Sequence, residues 1–506
     1  MKNALLVVIA ACGGPTPMPV APTPVAVNPP PIDAAPPANA DVVKTATIGG
    51  IPMEFRAGRM ANVLQQIDCL ADLVVCSSPA FASIWQLDAN DKRALLDWHE
   101  LRSHYSGTIE EGLLPEPEPL LPLAYHPRDI ESAIRIAGFT SRDPEDYYSR
   151  LSIFMTAADV QIARGVVEHF IGRADAMWAQ HRTELVTSLD GYRTLAARDD
   201  MKALAADIAH FYGIDPKESH QTFELIWRPV HKSPTSAQQL VEVSVVEATS
   251  GEPASEQWPV VNHEMFHGWF GASPIAKQVQ LVNTFLGYAG ADPITQPAYA
   301  LLDEVLATAF GNGLVARLAD KADYERRLAQ PQGFYNDPHI DAIAKALLPA
   351  LEKRLAAHGT VFDPDFVGDY LSAAHTAVKD WAPSTYLRDM TFVYTPMFEK
   401  AAKKVQGNAS YSDGEALGGN AIATAQKHPG WGTALFVTKK ELDQLAPLLT
   451  KQQLVSAKSQ KAPAFVLAAH RQPVGAVFVF VAPDAEQMAA LVDKFLATQA
   501  WTDLLI

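Results

Sequence analysis

The chain has 506 residues, 48% of which are hydrophobic, and a formal net charge of −16. This apolar content excludes general disorder and is enough for a folded body of two or three domains. The acidic balance argues against nucleic acid as a partner, because phosphate binding requires a basic surface, and it disfavours electrostatic docking to an anionic membrane.

The first residues resemble an export signal. Lys2 precedes a short apolar run, Ala4–Ala11, which is too short to span a bilayer and is typical of a signal-peptide core. The end of this run, Ile-Ala-Ala followed by Cys12, resembles the bacterial lipobox, whose Cys carries acyl chains. An ordinary signal peptide with an incidental Cys is the alternative. The resemblance implies attachment to the lipid bilayer through Cys12 at the bacterial cell envelope. Gly13 resembles the second residue of outer-membrane lipoproteins, which are periplasmic or surface-exposed.

A proline-rich stretch follows the Cys. Residues 13–40 contain ten prolines, a composition that cannot pack a core and predicts an extended, semi-rigid tether. We therefore assign residues 1–11 to a lipoprotein signal peptide and residues 12–44 to the lipid anchor and tether. No later stretch is long and apolar enough to span a membrane.

The remaining chain predicts an α+β fold in four parts. Residues 45–215 show helical periodicity, which predicts a mostly helical amino-terminal region that packs against the next part. Residues 216–405 combine strands with apolar helices and carry the motifs that indicate chemistry. Residues 406–432 are glycine-rich and predict a loop or linker. Residues 433–506 alternate short apolar strands with helices, which predicts a small α/β unit.

Two cysteines remain besides Cys12. Cys69 and Cys76 form an even pair in a chain that is expected to be exported, which predicts a disulfide closing a six-residue loop. Two free buried thiols are the alternative. A metal-binding role is disfavoured because no matching Cys or His pair lies nearby.

The pentapeptide from His263 to His267 is the most informative motif of the chain. It is an H-E-x-x-H sequence, and positions i and i+4 of a helix lie on one face, one turn apart. Two imidazoles so placed can bind one Zn²⁺, and Glu264 between them can take a proton from water. Apolar neighbours indicate a buried helix, with Pro259 suited to its start and Pro274 to a position beyond its end.

Two strands are predicted before this helix. They cover Thr222–Val230 and Leu240–Ala248, and the second shows the period-2 alternation of a sheet with one wet face. An edge strand beside a metal-binding helix can hold an extended peptide by strand addition.

A catalytic zinc usually takes three protein ligands, so a third ligand is required. The metzincin continuation fails, because Phe270 and Ser273 occupy the positions that need Gly and His. The better candidate is Glu304, 37 residues after His267 in an apolar run that predicts a buried helix. Asp303 on the same helix is the alternative ligand.

The run Asp303–Thr308 resembles part of the gluzincins, the zinc peptidases that include thermolysin and the aminopeptidase N-like enzymes. In the latter an Asn-Glu-Gly-Phe-Ala-Thr-like run supplies the third ligand, and this chain matches it at Glu304, Ala307 and Thr308. The resemblance covers roughly residues 220–400. It implies a zincin-like catalytic domain over residues 216–405 and one catalytic Zn²⁺ held by the two histidines and Glu304.

The resemblance also implies a mechanism. Glu264 would be the general base on a zinc-activated water, and a Tyr or His well downstream would stabilise the oxyanion. Tyr370, 66 residues beyond Glu304, is the first candidate for this second catalytic residue. The rivals are His375, Tyr386 and Tyr394. Asp303 could orient a ligand histidine, although the sequence does not assign that role.

The substrate class is set by what the chain lacks. The aminopeptidase N-like enzymes carry a Gly-x-Met-Glu-Asn run that recognises a free amino terminus, and nothing before His263 matches it. This favours a zinc metallopeptidase of the endopeptidase type, acting on a peptide or protein substrate. The alternative is a catalytically inactive zincin-fold lipoprotein that acts as a binding or assembly protein.

Overall fold

The computed structural model describes residues 41–506 with short gaps at residues 75, 77, 106, 108, 110–114, 116–118, 126–127, 231–235, 250, 410, 429 and 472–474. The predicted signal peptide, Cys12 and most of the predicted tether therefore lie outside the described residues. Among those described, no helix combines the length and apolarity needed to cross a bilayer.

The fold is mixed α/β with two mixed sheets. The first sheet has the strand order β1-β2-β3-β5-β4. Its strands are β1 (Val42–Ile48), β2 (Ile51–Ala57), β3 (Gln221–Arg228), β4 (Ala237–Leu240) and β5 (Val243–Thr249). The outer pairs β1/β2 and β4/β5 are antiparallel, whereas the inner pairs β2/β3 and β3/β5 are parallel.

Strand β1 includes residues 42–44, which the sequence assigned to the tether. The alternation of Val42–Ile48 suits its pairing with β2. The first sheet therefore takes two strands, β1 and β2, from the amino-terminal part of the chain, which also supplies helices.

Seven helices of the amino-terminal region follow β2. They are α1 (Arg59–Leu70), α2 (Ser78–Trp85), α3 (Ala89–Ser103), α4 (Ile130–Phe139), α5 (Pro144–Leu151), α6 (Ala157–Ala196) and α7 (Asp199–Phe211).

The helices of the central region follow β5. They are α8 (Ala254–Ala272), α9 (Ile275–Ala289), α10 (Thr295–Ala300), α11 (Leu302–Ala307), the π-helix Thr308–Val315, α12 (Ala316–Ala319), α13 (Lys321–Ala329), α14 (Pro338–Ala356) and α15 (Pro364–Ala377).

Strands β3 and β5 of the first sheet are buried on both faces. Phe223 and Leu225 belong to the core that includes α8, whereas Ile226 and Val245 belong to the core that includes α1. The predicted second strand is confirmed from Val243 onward as β5, whereas its first residues form the end of β4 and a turn in which Val241 adopts a φ of 50°. This places β4 at the edge of the sheet, with α8 packed against it.

The second sheet has the order β11-β9-β10-β8-β6-β7. Its strands are β6 (Asp389–Tyr394), β7 (Tyr411–Ala416), β8 (Gly432–Val437), β9 (Phe465–His470), β10 (Ala476–Val481) and β11 (Leu504–Leu505). Its helices are α16 (Glu399–Gln406), α17 (Ala421–Lys427), α18 (Lys451–Ser459) and α19 (Ala485–Leu496), with 3₁₀ turns at Pro383–Tyr386, Pro396–Phe398 and Lys439–Leu445.

The predicted loop over residues 406–432 holds strand β7 and helix α17, and the second sheet begins at β6 rather than at residue 433. Strand β7 has the sequence Tyr-Ser-Asp-Gly-Glu-Ala, whose Asp and Gly are disfavoured in strands. It forms because its backbone pairs in parallel with β6, a contact that local composition does not reveal.

Candidate metal centre

Helix α8 presents both histidines of the H-E-x-x-H motif on one face. Their rings lie with centroids 4.7 Å apart, and the two Nε2 atoms are separated by 3.0 Å. Both side chains are largely buried, since His263 is 5% exposed and the side chain of His267 is 13% exposed. The helix begins at Ala254, so Pro259 lies inside it rather than at its start.

Glu304 on α11 completes a group of three converging donors. Its Oε2 lies 3.6 Å from Nε2 of His263 and 3.7 Å from Nε2 of His267. These three residues are the group among the described residues whose ligand atoms could hold a metal ion. Oε2 of Glu304 is buried and has no hydrogen-bond partner among the described residues.

The donor set fits Zn²⁺. A triangle with sides of 3.0, 3.6 and 3.7 Å contains a point about 2 Å from all three atoms, which is the usual length of zinc bonds to imidazole and carboxylate. Two nitrogens and one oxygen also form the three-ligand set of a catalytic zinc site with one open position.

Asp303 lies beside one of the two histidines. Its Oδ1 lies 2.8 Å from Nδ1 of His267, on the side of the ring opposite Nε2. A carboxylate at this nitrogen fixes the tautomer and turns the other nitrogen toward the metal position. Asp303 is therefore placed to support His267 rather than to replace Glu304 as a ligand.

Groups of opposite charge converge at the candidate centre. Burial acts to lower the pKa of His267, but the Asp303 and Glu304 carboxylates more than offset it and hold this pKa well above its ordinary value. Burial acts to raise the pKa of Glu304, but the two histidines beside it hold this pKa well below its ordinary value. A divalent cation would take over the role that a proton has between these groups.

Glu264 is buried next to the ligands. It is 8% exposed, and burial raises the pKa of its carboxyl, an effect that the neighbouring histidines only partly offset. A carboxylate whose basicity is increased in this way is suited to accept a proton from water near neutral pH.

The helix that carries Glu304 becomes a π-helix just beyond it. α11, the π-helix Thr308–Val315 and α12 follow one another without interruption, and π segments of this kind are rare and frequent at functional sites. At Gly311 this helix approaches α8 so closely that a Cβ would lie 2.7 Å from the backbone nitrogen of His263. The absence of a side chain at Gly311 thus lets the two ligand-bearing helices meet.

Tyr335 lies beside the metal centre, although the sequence analysis missed it. Its ring stacks on the imidazole of His263, with centroids 5.7 Å apart and an interplanar angle of 16°. Burial raises the pKa of Tyr335, and the Glu304 carboxylate, which interacts with its hydroxyl, raises it further. Tyr335 is 31 residues beyond Glu304, in the connection between α13 and α14, and no spacing rule of the resembled enzymes points there.

Tyr370 is not in the site, which corrects the first candidate for the oxyanion donor. It is fully buried on α15, and its hydroxyl donates to the backbone oxygen of Ala298 at 2.6 Å. The rivals are also engaged elsewhere: His375 contacts Asp292, and the Tyr386 hydroxyl donates to the oxygen of Pro293. Tyr394, the last residue of β6, belongs to the second sheet.

A segment of the amino-terminal region borders the centre on the His267 side. Gly271 lies one turn beyond His267 on the same face of α8, and a Cβ there would lie 3.3 Å from the oxygen of Ala124. The adjacent Tyr125 donates its N–H to Oε1 of Gln278 at 2.7 Å. The amino-terminal region therefore packs against the metal-binding helix.

Cys69 and Cys76 are joined by a disulfide at the end of α1, with their Cα atoms 5.8 Å apart. Cys12 lies outside the described residues.

Comparison with known proteins finds no matching family model, no matching curated protein and no matching solved structure.

Proposed function

We propose that this chain is a zinc-dependent peptidase. The observation that carries the proposal is the convergence of His263 Nε2, His267 Nε2 and Glu304 Oε2 around a point at zinc-bonding distance. Zn²⁺ held there would supply Lewis acidity, which acidifies water and polarises a carbonyl group. The resemblance to the gluzincins at the same residues supports the same chemistry.

The residues around the three candidate donor atoms have separate roles in the proposed mechanism. Glu264 accepts the proton of the attacking water and passes it to the leaving amine. Tyr335 donates a hydrogen bond from its hydroxyl to the carbonyl oxygen as negative charge develops there. Its raised pKa keeps the hydroxyl protonated at neutral pH. Asp303 keeps His267 in the required tautomer.

The edge strand supports a peptide as the substrate. β4 is the last strand of the first sheet among the described residues, and Gly268 of α8 lies so close to it that a Cβ would be 2.6 Å from Nε2 of Gln239. An extended peptide held beside β4 would run next to the helix that carries the two histidines. We therefore keep endopeptidase activity as the proposed specificity.

The test measures metal content and cleavage with the full chain. We expect about one equivalent of zinc in the purified wild type and in the Glu264→Gln variant, because Glu264 is not a ligand. Cleavage of a denatured protein mixture, followed by mass spectrometry of new termini, should fall by roughly 10²–10⁴-fold in Glu264→Gln. Glu256→Gln, an exposed change in the first turn of the same helix, is the matched control. A wild type that binds one equivalent of zinc but cleaves nothing would favour the inactive binding protein. Absence of zinc would contradict both hypotheses.

We also propose that the protein is tethered to the cell envelope through acylated Cys12. The lipobox-like sequence and the proline-rich stretch after it support this proposal. Cys12→Ala should abolish labelling by a radioactive fatty acid and move the protein to the soluble fraction. Labelling that persists in this variant would contradict the assignment.

A further inference from the structure

Two buried polar residues that the mechanism does not use bond to the loop that carries Tyr335, beside Arg327, whose guanidinium donates to the oxygens of Gly333 and Phe334. Tyr335 belongs to residues 330–337, which join α13 to α14 without regular secondary structure of their own. A hydroxyl that stabilises an oxyanion must be held within a fraction of an ångström, so a loop position requires support from neighbouring groups.

Asp341 supplies the first support. It lies in the first turn of α14, is 4% exposed, and its carboxylate turns back toward the loop. Oδ1 accepts the N–H of Phe334 at 2.7 Å and that of Tyr335 at 3.3 Å, while Oδ2 accepts the N–H of Gln332 at 3.0 Å. One carboxylate therefore satisfies three backbone donors of the loop.

Asn312 supplies the second support from the opposite side. It lies in the π-helix, is 7% exposed, and donates its Nδ2 to the oxygen of Phe334 at 2.7 Å. Gly311 and Gly313 flank it; the first lies against the backbone of His263 and the second near Leu348 and the ring of Phe334. The π-helix thus touches both the metal-binding helix and the residue just before Tyr335.

We propose that Asn312 and Asp341 are positioning residues that hold Tyr335 over the metal centre. The catalytic consequence of this proposal rests on the proposed function, whereas the contacts of Asn312 and Asp341 with the loop do not. Neither side chain reaches the three donors; each acts through the backbone of Phe334 and Tyr335. The stacking of Tyr335 on His263 then fixes the ring relative to a ligand.

The structural readout is hydrogen–deuterium exchange of the full chain. Asp341→Asn replaces one of the two acceptor oxygens with a donor, and Asn312→Leu keeps the size but cannot donate. We expect amide exchange in residues 331–336 to rise several-fold in both variants, with zinc content unchanged. Asp320→Asn, at the exposed N-cap of α13, is the control and should leave this loop unchanged. Unchanged exchange in residues 331–336 for both variants would overturn the proposal.

The catalytic readout is a double-mutant cycle. We expect each positioning variant to lower kcat by roughly tenfold with little change in KM, as loss of a transition-state contact does. In a Tyr335→Phe background the same changes should cost almost nothing, because their effect passes through the hydroxyl. Full additivity would show a general structural role and would also overturn the proposal. If the wild type cleaves nothing, the peptidase proposal fails, whereas the exchange measurement still decides whether these residues hold the loop.

Discussion

Gly311 is the point at which the two ligand-bearing helices press together, so it offers a direct test of the centre's construction. In Gly311→Ala the new Cβ would lie 2.7 Å from the nitrogen of His263, 2.8 Å from its Cα and 2.8 Å from the oxygen of Pro259. All three neighbours are backbone atoms, which cannot rotate away as a side chain would. Ordinary contact requires about 3.5–4 Å, so the helices must separate by roughly 1 Å.

A separation of this size should affect both stability and metal binding. Overpacking in a filled core costs about 1–3 kcal/mol, and zinc sites tolerate deviations of only about 0.2 Å in ligand distance. We therefore expect the free energy of unfolding to fall by about 2 kcal/mol in denaturant titrations. We also expect zinc affinity, measured by competition with a chelating dye, to fall by at least tenfold. The separation changes the distance between Glu304 and both histidines.

The neighbouring glycine provides the matched control. A Cβ at Gly313 would lie 3.1 Å from Cδ2 of Leu348, which is a rotatable side-chain atom. Gly313→Ala should therefore cost less stability and leave zinc affinity within about twofold of wild type. If Gly311→Ala matched Gly313→Ala in both measurements, the close approach of the π-helix to α8 would not be what sets the ligand geometry.

Three further predictions concern charges in and outside the centre. Asp303→Asn should lower zinc affinity by roughly 10–100-fold, because it removes only the partner of His267. Glu304→Ala should lower it by more, because it removes a ligand. A Glu304→Ala variant with the same metal content as the wild type would place the third ligand elsewhere. Asp303→Asn should leave zinc stoichiometry at one when the metal is saturating, and a chelator titration measures the difference. Asp91 lies outside the centre: burial acts to raise its pKa, but bonding, above all to Arg173, lowers it to about 2. Because this pKa lies below that of the unfolded chain, the stabilisation is present above about pH 4 and is lost as the pH falls toward 2. Asp91→Asn should thus lower the free energy of unfolding by about 1 kcal/mol at pH 7, discounted because Arg173 is 46% exposed, and by clearly less near pH 2, where the Asp91 carboxyl is about half protonated. A difference of the same size at pH 2 and at pH 7 in urea titrations would refute this account.

Local sequence was sufficient for the part of the site that lies on one helix. The spacing of His263 and His267 fixes their relation through helical geometry alone, and the apolar context of Glu304 indicates a second buried helix. Only the structure shows that the two helices bring these donors to within bonding distance of one point. The sequence analysis left the role of Asp303 open for the same reason, since a contact across two helices has no fixed spacing.

Tyr335 shows why the remaining part of the site could not be predicted. The downstream donor was sought by its distance along the chain in the resembled enzymes, which led to Tyr370. Tyr370 lies on a regular helix, where its hydroxyl is already used by the oxygen of Ala298. Tyr335 reaches the centre from a loop whose path is set by Asp341 and Asn312, and side-chain contacts to loop backbone leave no periodic signal in a sequence.

The fold was predicted best where side-chain pattern decides structure and worst where backbone pairing decides it. The amphipathic helices and apolar strands such as β10 follow their patterns closely. Strand β7 and the hairpin at Val241 do not, because the first depends on β6 as its partner and the second on a single residue with positive φ. The same is true of residues 42–44, which pair with β2 although the sequence assigned them to the tether.

One continuous stretch of helix, from α11 through the π-helix, carries a residue of each of these features. Glu304 carries one of the three candidate donor atoms, Gly311 allows contact with the backbone of His263, and Asn312 donates to the oxygen of the residue before Tyr335. Gly311 and Asn312 are consecutive residues of this helix, so their side-chain positions differ by roughly a quarter turn. One can therefore face α8 while the other faces the loop. A deletion of one residue within the π segment, before Gly311, would rotate both residues away from these partners, so zinc affinity and loop protection should be lost together.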